Sequence, residues 1–148
     1  MHRIDRSVLL PYPRENLFTL VQDVPSYPAF LPWCPSAHAW PESAPGVHDA
    51  QVDIGFKGIR AHFKTRNTHL APDRITLELV DGPFRQLRGA WHFQALAPDA
   101  CKVSLTLEYQ FATGLLGRAI APVFGHIAES LIDAFAQRAE QLYGQEGP

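Results

Sequence analysis

Hydrophobic spacing changes character near Thr113. Upstream, apolar residues mostly alternate with polar ones, whereas from Thr113 to Tyr143 they recur every three or four positions. In that segment Leu116, Ile120, Val123, Phe124, Ile127, Leu131, Ala134, Phe135 and Leu142 form one apolar stripe, and Arg118, Glu129, Asp133, Gln137, Glu140 and Gln141 lie off it. A 3.6-residue period puts such a stripe on one face of an α-helix, so the spacing predicts a long amphipathic helix with one face on protein and the other in water.

Before the helix the pattern predicts strands. Arg3 to Leu10 reads as a first strand, with Ile4, Val8 and Leu10 on one side, Asp5 and Ser7 on the other, and Arg6 and Leu9 blurring the alternation. Pro11 ends it, and Pro13 suits the first turn of a short helix carrying Leu17, Phe18, Leu20 and Val21. A second helical turn is expected around Tyr27 to Phe30, kept short by Pro25, Pro28, Pro32 and Pro35. From about Ser36 the strands follow one another. Val52, Ile54 and Phe56 alternate with Asp53, Gly55 and Lys57. After a turn at Gly58, Ile59, Ala61 and Phe63 alternate with Arg60, His62, Lys64 and Arg66. Ile75 to Leu79, Leu87 to Ala95 and Val103 to Phe111 repeat the pattern, with turns at Ala71-Pro-Asp-Arg, Asp81-Gly-Pro and Ala97-Pro-Asp-Ala.

The element order is one strand, two short helices, about six strands and a long helix, which is an α+β arrangement. A lone helix after a run of strands buries its stripe against the sheet. A twisted sheet of six or seven antiparallel strands can curl around it as a half-closed grip, and any space left between them becomes an apolar pocket. Pro122, with Gly117 and Gly125, divides the helix in this view. Leu116 to Phe124 is expected to be an adjustable lid over the cavity mouth, and Leu131 to Leu142 the fixed part on the sheet.

At 148 residues the chain corresponds to a single domain, 1 to 148 with a core from 3 to 144. A formal charge of -2 supplies no global attraction to nucleic acid, and DNA is not an expected partner. Cys34 and Cys101 have no C-x-x-C spacing, and the N-terminus lacks the apolar core of a secretory signal, so a reduced cytosolic setting is expected. Uninterrupted apolar runs fall far short of the ~20 residues needed to span a bilayer.

Catalytic and metal motifs are missing. There is no G-x-S-x-G elbow, P-loop, dinucleotide glycine pattern or zinc cluster, and the seven histidines form no H-x-H or H-x-x-x-H pair. His62 and His92 fall on outward strand faces, His126 beside the helix stripe, and Cys34 in an apolar corner where it reads as a small buried residue. Inward strand positions are apolar except for Thr65 and Tyr109, which favours binding over proton-transfer chemistry. Arg60, His62, Lys64 and Arg66 share one strand face as a basic strip, extended by Arg85 and Arg88 and opposed by Glu78 and Glu108. Arg60, Lys64 and Arg66 are its candidate docking residues for ribosomal RNA or an anionic membrane.

Four blocks carry a family resemblance: Tyr27-Pro-x-Phe-Leu-Pro-Trp-Cys, Gly55-Phe-Lys-Gly, Gly82-Pro-Phe-Arg-x-Leu-x-Gly-x-Trp-x-Phe and Phe135-x-x-Arg-Ala-x-x-x-Tyr-Gly. In this order they resemble the coenzyme Q-binding and ribosome-association toxin (RatA) family of the START-like superfamily. The resemblance implies the helix-grip fold, a hydrophobic cavity for ubiquinone or a similar isoprenoid lipid, no required cofactor and no catalysis. It also implies a bacterial cytoplasmic protein, peripheral at most to the inner membrane. Expected lining residues are Trp33, Phe56, Phe63, Phe84, Leu87 and Trp91 from the corner and sheet, with Leu116, Ile120, Phe124 and Ile127 from the helix. Binding to the large ribosomal subunit is the alternative function, and a polyketide cyclase or aromatase is a third.

Overall fold

The computed structural model describes residues 1 to 144, so the last four residues of the expected domain lie outside the described ones. The chain runs β1 (His2–Leu10), α1 (Arg14–Gln22), a 3-10 helix (Val24–Ala29), β2 (Ala37–Ala39), β3 (Val47–Phe56), β4 (Ile59–Leu70), β5 (Arg74–Asp81), β6 (Phe84–Ala97), β7 (Ala100–Phe111) and α2 (Leu115–Tyr143). All strand pairs are antiparallel, in the order β1-β7-β6-β5-β4-β3-β2. From β2 to β7 each strand pairs with the next in sequence, because short turns return the chain directly alongside itself. In the two-residue β3–β4 turn Lys57 and Gly58 both have positive φ, 51° and 81°, as hairpins that match strand twist require.

The core lies between one sheet face and α2. Its sheet side includes Ile54, Ile75, Trp91, Phe93, Val103 and Leu105, and its helix side Ile120, Phe124, Ile127, Ile132 and Phe135, all buried. The proline-rich corner is pinned to α2. Tyr27 and Phe30 meet the Phe135 ring edge-on at 5.3 and 5.1 Å, and the Tyr27 hydroxyl donates to the Val21 carbonyl at the end of α1. Apolar contact and a satisfied phenol thus fix a segment that prolines keep from becoming a long helix.

Arg6 interrupts the apolar face of β1 between Ile4 and Val8, and its guanidinium pairs with Glu129 of α2. β1 is an edge strand, so a charged residue can reach past the core to the helix surface. Two expectations about α2 need correction. Its stripe differs at the ends: Leu116 and Leu142 are exposed, while Gly117, Ala128, Ile132 and Ala139 are buried. Finally, α2 is one continuous helix through Pro122, which is exposed. Gly117 does not loosen it. A Cβ there would stand 1.9 Å from the Ala112 carbonyl oxygen, so glycine lets the β7–α2 connection cross the helix closely.

By length and composition alone, α2 is also long and apolar enough to cross a membrane. Counting uninterrupted apolar runs passes over this, because dispersed polar residues break the runs without lowering the mean hydropathy much. In the fold, its apolar stripe faces the sheet.

Candidate functional site

The sheet and α2 enclose space in one region and fill it in another. Toward the start of α2, Phe124 is surrounded by aromatic rings: Phe84 at 4.8 Å, Tyr109 at 4.9 Å, Phe63 at 5.8 Å and Phe111 at 6.1 Å between centroids. These are edge-to-face contacts at the separations aromatic quadrupoles favour. With Ile120 fully buried beside them, they form a solid plug.

Beyond the plug, a cavity opens between the inner sheet face and the middle of α2. Its helix wall comprises Phe124, Ile127, Ala128, Leu131 and Phe135, and its sheet wall includes Phe63, Ala50, Val52, Ile75, Leu87 and Trp91. The α1 end and proline corner contribute Val21, Val24, Tyr27, Leu31 and Trp33. The interior volume is about 80 Å³, and about 820 Å³ is free of protein atoms when the solvent-filled mouth is counted, so a long chain must extend through the mouth or move the walls. No Asp, Glu, Lys or Arg lines the cavity.

Six of the ten expected lining residues stand in this wall: Trp33, Phe63, Leu87, Trp91, Phe124 and Ile127. The other four do not. Phe84 and Ile120 are buried in the plug, Phe56 stacks on His126 at 6.2 Å near the β3–β4 turn, and Leu116 is half exposed in the first turn of α2. This overturns the division of α2 into lid and anchor. The space lies beneath Phe124 to Phe135, and the helix portion expected to be a lid rests on packed aromatics.

The cavity also has a polar patch that spacing did not predict beyond Thr65. β4 continues its alternation to Leu70, which turns Thr65, Asn67 and His69 inward. Thr65 Oγ1 donates to Asn67 Oδ1 at 2.7 Å, and both residues are buried. His69 packs edge-on against buried His48 of β3 at 4.5 Å, and its Nε2 is buried without a hydrogen-bond partner. Burial, reinforced by His48 and opposed by Glu42, holds the His69 imidazole below the usual histidine range. The available signal was polar residues at consecutive inward positions of a strand with one wet face.

Among the described residues no cluster of three metal-ligating side chains occurs. Both cysteines are buried and free. Burial raises the Cys34 thiol to about 11 and also raises Cys101, so neither is poised as a thiolate nucleophile.

On the outer sheet face the basic strip is largely neutralised. Lys64 and Arg66 share Asp49 at 3.9 and 3.0 Å, and His62 meets Asp81 at 3.1 Å. Lys64 also sits over the Trp40 ring, 4.2 Å from its centroid. Arg88 pairs with Glu108 instead of extending the strip. The neutralising carboxylates thus include Asp49 and Asp81, set opposite by strand register. Arg60, Arg85 and Arg118 are exposed and have no ion-pair partner among the described residues. The topology gathers them at one end of the sheet, with the β3–β4 turn, the start of β6 and the start of α2.

The family model for polyketide cyclase/dehydrase and lipid transport proteins matches residues 10–136. A ribosome association toxin RatA of Pseudomonas aeruginosa is 42% identical over 141 residues, covering 95% of this chain and 97% of the relative. A mitochondrial coenzyme Q-binding protein of Xenopus laevis is 23% identical, covering 95% and 59% respectively. Among solved structures, a START superfamily protein from Mycobacterium smegmatis superimposes with a TM-score of 0.80 at 22% identity, covering 96% of this chain and 99% of that one. The chain therefore belongs to the polyketide cyclase/dehydrase and lipid transport family, together with the relatives at 40 to 42% identity named ribosome association toxins.

Proposed function

We propose that the protein binds and carries an uncharged hydrophobic ligand of the isoprenoid quinone class, without catalysing a reaction on it, in the cytoplasm of a bacterium. The observation that supports this most is the apolar cavity between sheet and helix, lined by Trp33, Trp91, Phe63 and Phe135 and free of charged side chains. Burying apolar ligand surface there supplies roughly 25 cal/mol per Å². A ring occupies the interior and the isoprenoid tail leaves through the mouth. His69 is the one histidine in the lining, and no carboxylate or lysine stands with it there as an acid–base partner, which favours carriage over cyclase chemistry. The test is to purify the protein from a quinone-producing bacterium, extract it with organic solvent and analyse the extract by mass spectrometry. Quinone should be recovered at a sizeable fraction of one per protein; recovery no higher than from an unrelated control would overturn the proposal.

A second reading is supported by the 42%-identical relative named a ribosome association toxin. On this reading the protein also binds the large ribosomal subunit, through cations without carboxylate partners. Arg60, Arg85 and Arg118 suit that role better than Lys64 and Arg66, which Asp49 already holds. Gradient sedimentation with ribosomes tests it. Arg60→Glu with Arg85→Glu should abolish cosedimentation, and binding should fall steeply with salt because phosphate contacts release counterions. Absence of cosedimentation at low salt would count against it.

A further inference from the structure

Polar groups in an apolar cavity are expensive to keep, because a buried donor or acceptor without a partner forfeits its hydration. Apart from Gln22, the Tyr27 hydroxyl that the Val21 carbonyl holds, and the indole N–H groups of Trp33 and Trp91, the polar lining of this cavity is concentrated on one strand, at Thr65, Asn67 and His69 of β4. Asn67 is 5% exposed. Its Oδ1 accepts from Thr65, leaving the amide nitrogen with two N–H donors and no partner among the described residues. His69 presents a second polar atom, Nε2, which is buried and unpartnered. The two residues lie on the same face two positions apart, about 7 Å along the strand.

We infer that Asn67 and His69 form a head-group anchor that takes an uncharged ligand by a carbonyl-type oxygen, while its apolar tail leaves through the mouth. This rests on the cavity being a ligand site, and it adds the ligand's polarity and charge. An oxygen acceptor is required because the free part of the Asn67 amide can only donate. Absence of charge is required because the wall carries no Asp, Glu, Lys or Arg, so a carboxylate or ammonium would be buried without a counter-charge. The depressed basicity of His69 agrees, since a neutral imidazole is no counter-ion for a fatty acid.

The test is a matched series measured by calorimetry: a butyl trimethylbenzoquinone, whose substituted ring resists thiol addition, the corresponding butyl trimethylbenzene and the ring-substituted carboxylate 4-butylbenzoate. The wild-type protein should bind the quinone roughly tenfold more tightly than the hydrocarbon and the benzoate most weakly. Asn67→Leu and His69→Leu should erase the preference for quinone over hydrocarbon; His69→Leu should hold or raise the melting temperature, whereas Asn67→Leu leaves the buried Thr65 hydroxyl without its acceptor and should lower it. If wild-type protein binds both quinone and hydrocarbon and the variants leave their ratio unchanged, the anchor is wrong while the ligand site stands. If it binds neither, the site and the anchor both fall. A readout independent of variant folding is the infrared carbonyl band of quinone bound to wild-type protein. Hydrogen bonding should move it to lower wavenumber, and an unshifted band would overturn the anchor.

Discussion

The space under α2 is filled in one stretch and open in the next, although both are lined with large apolar residues. Beneath Gly117 to Phe124, four rings from the sheet surround Phe124 and leave a solid plug. Beneath Phe124 to Phe135, a cavity remains. The change coincides with the inward residues of β4: Phe63 reaches Phe124, whereas Thr65 and Asn67 are shorter and polar. On the facing helix, Ala128 is buried and small. A close-packed interior fills its gaps when side chains are long enough. Here side-chain volume decreases on both walls at the same level, so the concavity of the sheet survives as space.

Truncation should separate the two regions most clearly. Phe124→Ala removes the centre of the plug and should cost about 3–5 kcal/mol in denaturant unfolding, whereas Leu131→Ala, in the cavity wall and half-buried, should fall near the ~2 kcal/mol lower end of such changes. Equal losses would show that the plug is no better packed than the cavity. Next in size is Gly117→Ala, where the new Cβ must displace the Ala112 carbonyl; about 1–3 kcal/mol should be lost. Its control, Gly125→Ala, meets no atom within 4 Å and should gain about 0.5–1 kcal/mol from helix propensity. Ala128→Leu should fill cavity space, change stability by less than about 1.5 kcal/mol and abolish quinone loading in the extraction assay. Retained loading would place the ligand elsewhere.

The smallest effect concerns pH. His69 is held neutral by burial and by His48, against the opposing pull of Glu42. Its folded-state basicity is therefore lower than in the unfolded chain. Stability is full above the unfolded value near 6.5 and is lost as pH falls through that value toward the folded one, because protonation then favours the unfolded chain. His69→Leu should flatten that part of the pH–stability curve, and an unchanged slope would remove His69 as its source.

Much of this fold was legible from spacing because each strand has one face on the core and the other in water. The alternation of Ile59 to Arg66 and the stripe from Ile120 to Phe135 follow from that difference. Whether apolar residues fill space or border it is not encoded in their type. Phe84 and Trp91, or Ile120 and Ile127, are equivalent in sequence, yet one of each pair lies in the plug and the other lines the cavity. Leu116 continues the helical period one turn beyond the buried part of the helix. Pro122 marked a division only as long as its orientation was unknown; on the exposed side it leaves the helix continuous. His48 and His69 are brought together by β3–β4 pairing, which no local spacing rule reports.

The most direct test of a filled plug beside an open ligand cavity is methyl NMR of the protein with the butyl trimethylbenzoquinone. Intermolecular contacts should appear at the Ile75, Leu87, Ile127 and Leu131 methyls, with none at Ile120 or Leu116. Contacts at Ile120 or Leu116, or no contacts at the cavity methyls, would contradict the account.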